Sequence, residues 1–148
     1  MITIAQLIRL PRRFAKYYDR QFLPLLERTG LSMREMHVLL FLANHPGQDT
    51  ARDVTELRGL AKSQVSQAVE VLAGQGLLAR RADGEDRRVV HLELTGTGLP
   101  LSREAQAVQA ACGQRMLAGL SREEQAVFLD LLERVLGEIE NLEKECLE

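Results

Sequence analysis

Between Lys62 and Gln67 the chain gathers Lys62, Ser63, Gln64, Ser66 and Gln67, a run of polar side chains broken only by Val65. Serine and glutamine carry donors and acceptors on short or planar groups. A glutamine amide can pair bidentately with adenine, and a serine hydroxyl can meet several base edges. Lys62, ahead of them, suits a phosphate. Further along, Arg87 and Arg88 close the polar run Asp83-Gly84-Glu85-Asp86-Arg87-Arg88, and arginine is a side chain that enters narrow minor grooves. This is the chemistry of nucleic-acid recognition. Catalytic chemistry has no comparable constellation. There is no nucleophile–base pair and no phosphate-cradling glycine loop. Asp83, Glu85 and Asp86 share a hairpin tip, a poor support for catalytic carboxylates. His37, His45 and His91 are scattered, and Cys112 and Cys146 lie far apart, which fits neither a zinc site nor a disulfide framework. No enzyme activity, cofactor or metal is expected.

Two elements must aim these groups. At about 100° per residue, a helix from about Ala61 to Ala73 buries Val65, Ala68, Val69 and Leu72. Ser63, Gln67 and Glu70 then point outward, flanked by Gln64 and Ser66. Thr50 is a plausible N-cap for a shorter helix through Val54 and Leu57, and Gly59-Leu60 is the turn between the two. Leu77 to Ala82 and Val89 to Leu94 read as strands joined by the polar run, a hairpin tip. Alternation along the second puts Val90, Leu92 and Leu94 on one face and leaves His91 solvated on the other.

The flanks are helical. Ile4, Leu7, Ile8, Phe14, Tyr18 and Phe22 recur at helical spacing, interrupted by Pro11 and Pro24, each of which should start, kink or end a helix. Ser32 and Glu35 form a capping box before a helix that buries Met36, Leu39, Leu40 and Ala43. Downstream, Leu101, Ala105, Val108 and Cys112 line one long helix, where Cys112 reads as a small buried hydrophobe. Ser121 and Glu124 cap another. Its residues Phe128, Leu132, Val135, Ile139, Leu142 and Cys146 follow a coiled-coil seam, widened by Val127, Leu131 and Leu136 beyond what one partner helix can cover.

The chain has 148 residues, 45% apolar, 27% charged and 4% aromatic, one domain's worth. The longest apolar run, Val38 to Ala43, is far short of the roughly 20 residues of a membrane span. Arg9, Arg12 and Arg13 break up the first apolar stretch, so a secretory segment is not expected and the cytoplasm is. The formal charge of −2 is unevenly spread. Residues 1–30 hold six Lys/Arg against two Asp/Glu, residues 51–95 seven of each, and residues 96–148 five against ten. A basic head precedes a neutral middle and an acidic tail.

The sequence resembles the MarR family of bacterial transcription regulators. The matching stretches are Leu31-Ser32 with Glu35, Leu60 through Ser66, Gly76-Leu77-Leu78-Ala79-Arg80, and Asp83 through Arg88 followed by Leu92-Glu93-Leu94-Thr95 and Gly98. They cover about residues 31–98, and the D-x-R wing, Asp86-Arg87-Arg88, is the most specific. The resemblance implies a mainly α fold with a small two-stranded β wing: a winged helix-turn-helix over 31–95, flanked by dimerisation helices over 1–30 and 96–148, in one intertwined domain. It implies a homodimer on a palindromic double-stranded operator, with Ser63, Gln64, Ser66 and Gln67 reading bases. Arg88 would enter the minor groove, oriented by Asp86. Ile4, Leu7, Ile8, Phe128, Leu132, Val135, Ile139 and Leu142 would knit the dimer. Most relatives look like repressors released by a small ligand or by thiol oxidation. A small aromatic or anionic ligand is the effector expected here, because Tyr17 and Tyr18 stand where thiol sensors keep their cysteine. Tyr18, Met36 and His37 either line its pocket or pack in the core. The sequence departs from the family pattern at Pro11, at Pro100 and in its neutral middle stretch with Glu85 on the wing. The last feature leaves open an alternative, a winged module that binds protein and has lost DNA.

Overall fold

The computed structural model describes residues 3–146, with α1 Ile4–Gln21, α2 Leu23–Thr29, α3 Met33–Asn44, α4 Ala51–Arg58, α5 Lys62–Gly74, β1 Leu78–Ala82, β2 Val90–Leu94, α6 Gly98–Met116 and α7 Arg122–Glu145. The fold is mainly helical with one antiparallel pair, running from Leu78↔Leu94 to Ala82↔Val90. The chain divides into two compact units, Met1–Ala110 and Ala111–Glu148.

In the first unit the core is mainly aliphatic, with Phe22 and Phe41 buried beside it. Met36, Val38 and Leu39 of α3, Val54 of α4, and Val65, Ala68 and Leu72 of α5 are completely enclosed. Helix α3 packs on α5, α4 on α5, and both α3 and α5 on the hairpin strands. Thr50 caps α4 in a box with Asp53, whose carboxylate accepts from the Thr50 N–H at 2.9 Å. Gly59 ends α4 at φ 71°, a left-handed turn that only glycine adopts without strain. In the second unit, Ser121 and Glu124 cap α7 reciprocally. The Gln125 amide donates to the Leu117 and Leu120 carbonyls, closing the turn before it.

The prolines act differently from one another. Pro24 lies in the first turn of α2, just past the break at Phe22, where its missing N–H has no helical partner to lose. Pro11, expected to interrupt its helix, instead neither starts nor ends α1, which runs through it. The carbonyl four residues earlier, Leu7, loses its partner, but residues 5–16 are exposed and water can replace the bond. Pro100 occupies the third position of α6; it has no N–H for the Gly96 carbonyl, so the turn that Leu99 opens by donating to the Thr95 carbonyl at 2.9 Å is not continued and the regular helix starts at Gly98. The start of the helix is tied to Thr95. The Thr95 hydroxyl accepts from the Gly98 N–H at 3.0 Å and donates to the Gly76 carbonyl at 2.6 Å.

Gly98 lies hard against Leu77, the residue that leads into β1. A Cβ built there would sit 2.0 Å from the Leu77 carbonyl oxygen. Alanine at a helix start ordinarily helps by reducing chain entropy; here the clash reverses the sign. Gly98→Ala should lower stability in urea unfolding by about 1–3 kcal/mol. Gly96→Ala, with nothing near its added methyl, should stay within about 0.5 kcal/mol.

Candidate nucleic-acid interface

Helix α5 buries Val65, Ala68, Val69 and Leu72, the four residues its sequence periodicity selects. Lys62, Ser63, Gln64, Ser66 and Gln67 are left exposed. Two of the five are already engaged. The Gln64 side-chain oxygen accepts from the Ala61 N–H at 3.2 Å, capping the helix start. The Gln67 oxygen accepts from the Arg34 guanidinium at 2.9 Å. Arg34, in the first turn of α3, was not among the sequence candidates. The bond fixes the Gln67 amide with its N–H₂ free to donate and one oxygen lone pair occupied. At the far end of the face, Glu70 pairs with Arg80 of β1 at 2.6 Å.

The hairpin tip is organised by its aspartates. One oxygen of Asp83 accepts from the Glu85 and Asp86 N–H groups, both at 2.8 Å. Asp86 accepts from the backbone N–H of Arg88 at 2.9 Å, so it holds the main chain at Arg88, and no bond from it to the Arg88 guanidinium is present. Arg87 and Arg88 are exposed. Among the described residues no ion pair engages either of them, or Lys62.

His91, expected to be solvated, is instead held at both ring nitrogens. Nδ1 lies 2.6 Å from Asp49 Oδ1 and Nε2 2.9 Å from Asp83 Oδ2. The reason is a backbone bridge from a distant part of the chain that the sequence did not reveal. Thr50 bridges to His91, and the Asp49 carbonyl accepts from the Leu92 N–H at 2.7 Å. That contact runs along the edge of β2 and brings the Asp49 carboxylate beside the ring. The two carboxylates raise the His91 pKa above its usual value. The Asp83 carboxyl falls far below the usual carboxylate range, through the Asp86 N–H first, then His91 and the Glu85 N–H. Asp49 is far from His91 in sequence, so no periodicity could link them. The Asp-x-x-Asp spacing at the tip is a turn signal that could have flagged Asp83.

Tyr18 and His37 line a cavity of about 90 Å³ together with Arg58, Asn44, His45 and Gln109. Met36, grouped with them from sequence, is completely enclosed in the core and does not line it. The Tyr18 hydroxyl accepts from the Gln109 amide at 3.0 Å. Burial first, then Arg58, lowers the His37 pKa to about 4, opposed by Asp19. Of the residues assigned to a dimer seam, Leu7 and Ile8 of α1 and Phe128, Leu132, Val135, Ile139 and Leu142 of α7 are exposed apolar side chains. The Ile4 side chain lies outside those described. Cys112 is buried and Cys146 exposed, both as free thiols. No helix among the described residues is long and apolar enough to cross a membrane, and no group of three or more His, Cys, Asp or Glu among them could hold a metal ion.

Helix α4, the Gly59 turn, an outward polar face on α5 and an arginine-tipped hairpin define a winged helix-turn-helix protein. The sequence pattern of the MarR family matches residues 29–89. The HTH-type transcriptional regulator MhqR of Bacillus subtilis is 30% identical over 110 residues, 74% of this chain and 75% of its own. The crystal structure of the transcriptional regulator PA3341 superposes with a TM-score of 0.76 at 31% identity, covering 93% of this chain and 97% of that one. BpsR of Bordetella bronchiseptica, described for the regulation of its DNA binding by 6-hydroxynicotinic acid, gives a TM-score of 0.69 at 26% identity, covering 88% and 98%. The chain belongs to the MarR family of transcriptional regulators.

The lowered His37 pKa has a consequence for stability. Between the ordinary value of 6.5 and about 4, the unfolded imidazole takes up a proton that the folded one refuses, so stability falls as pH drops through that window. Unfolding curves should show this loss in the wild type and a smaller one in His37→Gln.

Proposed function

We propose that the chain is a homodimeric, sequence-specific repressor of transcription, acting in the cytoplasm on palindromic double-stranded DNA and released by a small aromatic or anionic ligand. The observation that carries the DNA reading is the pairing of α5's outward Ser/Gln face with the unpaired cations Lys62, Arg87 and Arg88. Ser63, Gln64, Ser66 and Gln67 meet base edges in the major groove, Lys62 meets a phosphate, and Arg87 and Arg88 reach the adjacent minor groove. Gln64 gives up its capping bond to do so. With its oxygen shared with Arg34, Gln67 favours acceptor edges such as guanine N7 and O6 or thymine O4 over a bidentate adenine contact.

The homodimer rests on exposed apolar surface. Helix α7 buries none of its residues in the single chain, and an uncovered seam of this length marks an association surface. In this reading residues 1–30 and 96–148 supply the dimer and 31–95 the DNA contacts. The ligand reading rests on the cavity beside Arg58 and His37. At about 90 Å³ it is smaller than the roughly 300–1,000 Å³ of small-molecule sites, so a ligand has to part its walls. Arg58 favours an anion, and BpsR supports this class of effector by analogy.

Fluorescence anisotropy on DNA upstream of the chain's own gene tests the central claim. Binding should be sequence-selective and weaken with salt. Arg88→Ala should cost about 1–3 kcal/mol of binding with the fold intact, and Gln67→Ala should mainly relax base preference. A flat titration with every upstream sequence would remove the DNA reading and favour a protein-binding module.

The assembly has its own check. Leu132→Glu combined with Ile139→Glu changes only side chains exposed in the single chain. Sedimentation should report a dimer for the wild type and a monomer for the double variant, with helix content retained.

A further inference from the structure

The bridge Asp49–His91–Asp83 crosses from the loop ahead of α4 to the tip of the wing. A neutral imidazole has one N–H, and an imidazolium has two. Both ring nitrogens face carboxylate oxygens at bonding distance, so only the charged ring donates to both. We infer that His91 is a positioning residue for DNA binding, tying the hairpin that carries Arg87 and Arg88 to the start of the helix-turn-helix, so that affinity falls as the ring loses its proton. This rests on the proposed DNA reading.

Each anchor is itself fixed. The Asp49 main chain is bonded to Leu92, and neighbouring Thr50 caps α4. Asp83 holds the N–H groups of Glu85 and Asp86 with its other oxygen. A ring that releases Asp83 therefore loosens the turn immediately before Arg87. The neighbouring charges are few. Asp53 of α4 lies close enough to act on the ring and favours its cation. Arg81, its register partner on β1, opposes it but is itself paired with Glu93. Helix α3 also packs on β2, and its charged groups are engaged elsewhere: Arg34 with Gln67, Glu35 with the Ser32 N–H, and His37 at the cavity. The balance keeps the cation to a pH above the ordinary imidazole value. The bridge is complete below that ordinary value and is lost as pH rises through the raised one.

The test combines DNA affinity from about pH 6 to 9 at fixed ionic strength with amide hydrogen exchange of the free protein. Wild-type affinity should fall roughly tenfold across the range, as for the loss of one charge-assisted bond. His91→Gln, uncharged throughout, should bind weakly and flatly. His91→Arg, charged throughout with several donors, should bind tightly and flatly. Exchange at the Glu85, Asp86 and Arg88 amides should quicken in His91→Gln, with core amides of α3 and α5 unchanged. Identical pH profiles for wild type and His91→Gln, or unchanged exchange at the tip, would overturn the inference. Should the wild type bind no DNA at any pH, the functional reading fails while the exchange comparison still judges the bridge.

Discussion

Helix α5 has room for one buried face. Val65, Ala68, Val69 and Leu72 are drawn into the contact with α3 and α4, and a repeat of 3.6 residues then leaves no choice about what faces water. Ser63, Ser66 and Gln67 are presented because four aliphatic side chains are not. The core and the candidate interface are thus one decision made twice, once in each direction around the helix. Rotating α5 to move the outward set would expose a valine and bury a glutamine, and that penalty holds the face in register.

That dependence explains what was legible in the sequence. The α5 face, the Thr50 and Ser121 caps and the hairpin all follow from patterns a few residues long, and each is present. His91 failed for the opposite reason. Alternation assigns a side chain to a face but does not say whether another segment covers that face. The Asp49–Thr50 backbone, from a distant part of the chain, joins the edge of β2 and puts the Asp49 carboxylate against the ring. Arg34 was missed similarly: it lies in a helix first turn with no local sign that Gln67 is across from it. Pro11 neither starts nor ends α1: local rules count the lost hydrogen bond and cannot see that water has access to the orphaned carbonyl.

The hairpin tip shows how an exposed turn is given a defined shape without a hydrophobic core. The hairpin tip contributes no buried apolar residue. Its geometry comes from carboxylates accepting backbone N–H groups, Asp83 from two and Asp86 from one. Such bonds are local and set the turn, but they do not fix where the turn points. Direction needs a contact to something outside the hairpin, and the His91–Asp49 bond supplies it.

The same bookkeeping resolves the charge of the middle stretch. Seven cations and seven anions over 51–95 sum to zero, which looks indifferent to a polyanion. The groups are not equally available. Arg52, Arg80 and Arg81 are paired with Glu56, Glu70 and Glu93, removing three of each sign. Asp53, Asp83 and Asp86 accept backbone N–H groups, so their charge is partly compensated by fixed dipoles. Arg58 faces the cavity. Of the unpaired groups, Lys62, Arg87 and Arg88 stand against Glu85. A polyanion approaching α5 and the wing therefore meets a small positive excess, concentrated at the three positions that can reach it. Few phosphate contacts release few counterions, so on the proposed function affinity comes more from base-edge contacts and from the second copy than from bulk charge.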